Sequence, residues 1–120
     1  MTADDFRRAA LALPNVVESK HMDHPDFRIN GKIFATLGYP NIAWGMVKLT
    51  PQEQAPLLAL DPKTYVSKGK WGEQGATLVH LASARAEKIK PALVRAWQMA
   101  QTATPSNKPR GGRAKQPSDS

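Results

Sequence analysis

Cysteine is absent from all 120 residues, which excludes a disulfide framework, thiolate metal sites and cysteine nucleophiles. Long apolar runs are missing too. No stretch approaches the length of a bilayer span, and the opening MTADDFRRAALALP places acids ahead of any apolar segment, unlike a secretory leader. No glycine-rich phosphate loop follows a strand pattern, no nucleophile elbow occurs, and no carboxylate pair stands in a recognisable catalytic frame. Ser67 and Ser83 have no evident base. These absences set the expectation of a soluble, cytoplasmic, single-domain protein that is not an enzyme and uses no cofactor.

Negative charge is scarce as well: ten acids against seventeen lysines and arginines give a net charge of +7. A basic surface attracts polyanions, but says nothing about fold. The excess is unevenly placed. Residues 103–120 hold Lys108, Arg110, Arg113 and Lys115 against Asp119, a net +3 of the +7, so residues 1–102 carry +4. The tail PSNKPRGGRAKQPSDS has almost no apolar residues and reads as a disordered basic extension of a domain spanning 1–102.

What is present is periodic. In 2–13, Phe6, Ala9, Ala10 and Leu13 recur at spacings of three and four, which predicts a helix with one buried stripe. Thr2 is its cap and Asp4 and Asp5 lie in its first turn. Residues 16–22 read as a strand and 42–49 as another. Thr50-Pro51-Gln52-Glu53 is a capping-box start for a second helix, with Pro56 expected to kink or shorten it. The stretch 65–75, with three glycines, reads as a loop centred on Lys68, Lys70 and Trp71. Residues 76–81 form a strand, and Ser83 is expected to cap a last helix reaching about 102. Ile89, Leu93, Ala96, Trp97 and Ala100 are its buried stripe, with Pro91 on the solvent side.

The densest chemistry lies in HMDHPDFRINGKIFATL, residues 21–37. Asn30-Gly31 is the preferred two-residue hairpin turn, because both central positions need positive φ. Closing the hairpin there sets Ile29 opposite Lys32, Arg28 opposite Ile33 and Phe27 opposite Phe34. One face is then expected to hold Phe27, Ile29 and Phe34. Ile33, Ala35 and Leu37 fall on the other, with Asp26 and Arg28. His21, Asp23, His24 and Asp26 carry metal-ligand chemistry, but a strand–turn context splits the histidine pair, so no metal site is expected.

The runs LPNVVESKHMDHPDFRINGKIFATL, MVKLTPQEQ and WGEQGATLVHL, with the final helix, resemble the MmcQ/YjbR family of small bacterial proteins over residues 2–101. The resemblance implies an α+β fold: a two-layer α/β sandwich in which helices cover one face of an antiparallel sheet, ordered α-β(3)-α-β(2)-α. Four strands are legible in the residues themselves, so a fifth must arise near Tyr65. The resemblance also implies DNA binding through two β-hairpin wings.

Two functions follow as expectations. Arg28 and Lys32 flank the hairpin tip, and Lys68, Lys70 and Trp71 form a second basic loop with a ring able to stack. Together they suit DNA or RNA, and the tail can add phosphate contacts. Charged tips are also ordinary solvated surface. The alternative is a protein- or peptide-binding module, as a monomer or homodimer, using Trp44 and Met46 on a sheet face bare of helices. His80 is expected to be a satisfied histidine at the core's edge.

Overall fold

The structure, a computed structural model, describes residues 1–21 and 23–102. The basic tail lies outside the described residues. The elements are α1 (Ala3–Leu11), β1 (Val17–His21), β2 (His24–Ile29), β3 (Lys32–Leu37), β4 (Trp44–Lys48), α2 (Pro51–Leu60), β5 (Tyr65–Val66), α3 (Gly69–Glu73), β6 (Ala76–His80) and α4 (Ala86–Thr102). Six strands form one antiparallel sheet in the order β1-β2-β3-β4-β6-β5. The fold is α+β, with a helical layer over one sheet face. No helix among the described residues is long and apolar enough to cross a membrane.

Thr2 and Thr50 cap their helices as expected, and both are built as capping boxes. Thr2 accepts from the Asp5 amide while Asp5 accepts from the Thr2 amide, and Thr50 and Glu53 repeat the arrangement. Asp5 is held below its usual value, first by the Thr2 amide and then by the Thr2 hydroxyl and Arg8. Pro56 sits inside α2 without ending it, because α2 runs on to Leu60. Ser83 does not cap α4, which begins at Ala86. Its hydroxyl instead accepts from Thr64 and donates to the His80 carbonyl, closing a short 3-10 turn after β6.

The core lies between the sheet and α1 and α4. Phe6 and Ala10 of α1, and Ile89, Leu93 and Ala96 of α4, pack on Phe27, Ile29, Phe34, Ala35, Leu37, Val47 and Val79. Gly45 gives Phe6 its seat: a Cβ there would stand 3.3 Å from the Phe6 ring and 3.2 Å from the Thr36 carbonyl.

The connectivity departs from α-β(3)-α-β(2)-α in two places. The stretch before Asn30-Gly31 supplies two strands, so four precede α2, and the expected loop at 65–75 contains both β5 and the one-turn α3. A second correction concerns register. Ile29 does oppose Lys32 and Arg28 does oppose Ile33, but Phe27 opposes Ala35. Phe34 is the extra residue of a β-bulge. The bulge turns Phe34 and Ala35 to the same side, so Ala35 and Leu37 join the core and Thr36 faces away from it.

Candidate functional site

That shift builds the open face of the sheet. Directly opposed residues share a face, and one row runs across five strands: Asp26, Thr36, Met46, Leu78 and Val66. Met46, Leu78 and Ala76 form a second, smaller apolar cluster there, with Trp44 and Val66 packed against it.

Over this row sits a cavity of about 500 Å³, within the range that takes a small molecule. Ile33, Thr36 and Met46 form its floor, with the Asp26 carboxyl at one side. Its walls are rings. Tyr39 and Trp71 meet edge to face at 6.2 Å and 70°, and His24 meets Tyr39 at 6.0 Å and 76°. Tyr39 and Trp71 remain 48% and 41% exposed, so their faces are available to a guest. Exposed Lys48 also lines the cavity.

Each wall is held by an identifiable device. Gly38, at φ +88°, lets the chain turn directly beside His24, where a Cβ would lie 3.2 Å from Nδ1. The buried Gln54 of α2 donates from Nε2 to the carbonyls of Gly72 and Ala76, 3.0 Å each, and so ties down α3, which carries Trp71. Gly72 and Gly75 complete the clamp. A Cβ at either would strike Ser67 or the Leu49 carbonyl.

The polar chemistry of the floor is unequal. Asp26 is 1% exposed, and both its oxygens accept from Arg28, at 2.8 Å from Nε and 3.0 Å from Nη2. The hydrogen bonds to Asp26, and then its charge, push the Arg28 guanidinium above its ordinary value. The Thr36 hydroxyl is buried and has no hydrogen-bond partner, the one such side-chain atom among the described residues.

The residues singled out from the sequence are distributed as follows. Arg28 lies on the open face, its guanidinium occupied by Asp26. Lys32 is paired with Ile29 and so lies on the helix-covered side of the hairpin. Alternation thus assigns Arg28 and Lys32 to opposite faces, yet at the hairpin tip both line one groove together with Ile33 and Lys48. Lys68 precedes α3, while Lys70 and Trp71 belong to it. Both lysines are exposed. Met46 is fully buried rather than exposed, and Trp44 is half-buried against His80 at 5.0 Å. His80 finds its expected partner, with Nδ1 3.1 Å from the Ser83 hydroxyl. Among the described residues no three His, Asp or Glu side chains gather as a metal would require.

His24, Thr36, Tyr39 and Lys48 were not legible as one site. Period-two alternation groups Thr36, Met46 and Lys48 only once the bulge at Phe34 is counted, and no glycine or proline marks that bulge.

This architecture defines a class, the two-layer α+β domains with an open-faced antiparallel sheet. The chain belongs to the YjbR family, whose model matches residues 11–99. The crystal structure of Deinococcus radiodurans protein DR2400, a DUF419 domain, is similar to it at a TM-score of 0.73 and 17% identity, over 84% of this chain and 79% of that one. That likeness shows the fold. No curated protein sequence matches the chain.

Proposed function

We propose that this chain is a non-catalytic nucleic-acid-binding domain that holds a single-stranded segment on the open face of its sheet. The observation that carries the reading is the half-exposed Tyr39–Trp71 pair, with exposed Lys48 beside the same cavity and Lys68 and Lys70 next to Trp71 in the chain. Aromatic faces with lysines around them suit unpaired bases and their phosphates, at roughly 1–3 kcal/mol per stacked base. Wings inserting Arg28 and Lys32 together into a duplex groove fit less well, because the Arg28 guanidinium is already engaged by both oxygens of Asp26.

The test is fluorescence anisotropy of a labelled single-stranded oligonucleotide with the full chain, across a salt series. Affinity is expected to fall steeply with salt. The W71A variant is expected to weaken binding about tenfold or more, and K68A/K70A to flatten the salt slope. Binding that is unchanged in a W71A/K68A/K70A variant would belong to the basic tail and would overturn the reading.

A second reading, docking of a protein partner on the same face, is favoured by Ile42. It is 89% exposed in the loop that carries Tyr39. Capture that survives high salt and is lost in I42D would establish this reading in place of the first.

A further inference from the structure

We infer that the open-face cavity is a single-nucleotide pocket: it takes one planar heteroaromatic ring that carries a phosphate. The inference rests on the strand-binding reading for the class of guest and adds where one unit of the strand sits and what reads it.

Size sets the first bound. A cavity of about 500 Å³ admits one substituted ring system, not a run of chain. Shape sets the second. The two large rings meet at 70°, so a flat guest can lie on one and be edged by the other, a favourable geometry for π-systems.

Charge then separates the candidates. Perpendicular aromatic rings above a carboxylate also describe a cage for a quaternary ammonium group. Here the carboxylate is already neutralised, since both oxygens of Asp26 accept from Arg28. The remaining charged side chain lining the cavity is Lys48, and α3 adds Lys70 next to Trp71. A cation would meet net repulsion, whereas an anionic substituent finds Lys48 within the lining.

The Thr36 hydroxyl belongs to a residue of the floor, but it is shut off from solvent and so from the cavity itself. The site therefore selects by ring shape and by the charge of Lys48.

The experiment is a titration of the full chain with AMP, GMP, CMP and UMP at low salt, read by backbone NMR shifts and tryptophan fluorescence. The matching nucleosides, inorganic phosphate, tetramethylammonium and a short oligonucleotide are run alongside. A nucleotide is expected to quench Trp71 fluorescence, an effect lost in W71F, and to shift Thr36, Met46 and Lys48. The K48A variant is expected to weaken nucleotide but not nucleoside binding.

Mononucleotides that leave these residues unshifted while the oligonucleotide binds through Trp71 would overturn the pocket and keep the strand reading. Mononucleotide binding without oligonucleotide binding would support the pocket and overturn the strand. Preference for tetramethylammonium, or equal binding of nucleoside and nucleotide, would overturn the assignment of an anionic guest.

Discussion

Arg28 reaches two residues back along its own strand to bind both oxygens of Asp26, a carboxylate that is otherwise shut away from solvent. The pair removes a negative charge from the floor of the cavity and occupies a cation that would otherwise face outward. Its stability consequence has a definite sign. An R28A variant strips a buried carboxylate of the partner that binds both its oxygens, and should lose roughly 3–5 kcal/mol in urea unfolding at pH 7. The double variant D26N/R28A, which removes the stranded charge as well, should recover part of that loss.

Phe34 is the residue around which the open face is set. It is fully buried, and as the extra residue of the bulge it decides that Thr36 points to the cavity. The F34A variant should lose about 3–5 kcal/mol in urea unfolding. It should also broaden the NMR signals of Thr36 and Met46, which an ordinary core truncation remote from β3 would leave sharp.

Much of the fold was legible because its signals are local. The Thr2 cap, the Thr50 capping box, the Asn30-Gly31 turn at φ +53° and +78°, and the α4 stripe of Ile89, Leu93 and Ala96 all form as their short-range chemistry dictates. The site was less legible because it depends on long-range placement. Lys48 and Trp71 lie 23 positions apart in the sequence and share a cavity only because Gln54 fixes α3. Lys32 could not be separated from Arg28 by charge alone. Only the register puts them on opposite faces.

Two glycines should respond very differently to alanine. Gly75 sits at φ +111°, and a Cβ there would lie 1.8 Å from the Leu49 carbonyl oxygen, a backbone atom that cannot swing aside. Gly31 sits at φ +78° with nothing within 4 Å. The G31A variant should cost about 1 kcal/mol, the strain of a left-handed L-residue. The G75A variant must also displace β4 from β6, and should lose several-fold more or fail to fold. Thermal melts of the two separate strain from collision.

Glu53 links the cap of α2 to Arg95 on α4. Burial pushes its carboxyl up, but the hydrogen bonds from Arg95 and Thr50 outweigh that and hold it below the ordinary 4.5. A depressed folded pKa contributes stability that is present above about 4.5 and lost as pH falls through the lower folded value. At pH 7 the E53A variant should lose about 1 kcal/mol. The gap to wild type should close on acidification below pH 4. A gap that stayed constant would assign the loss to packing and not to charge.

Gln54 touches no part of the cavity, yet it should govern what the cavity can do. Its amide bridges the carbonyls of Gly72 and Ala76, joining α2 to the far end of α3 and the first residue of β6. A helix of five residues has little stability of its own, so α3 depends on such tethers to hold Trp71 against Tyr39. The Q54A variant takes the donor from the Ala76 carbonyl, while the Gly72 carbonyl keeps the Gly75 amide, and should cost roughly 1–3 kcal/mol. Global unfolding reports that loss but not its location. Hydrogen exchange does: the amides of Gly72 and Gln74, which close α3, should exchange faster in Q54A by more than the global loss explains. The amides of β2 and β3 should change only in step with it. If binding at Trp71 falls while α3 protection is untouched, the positioning role assigned to Gln54 is wrong.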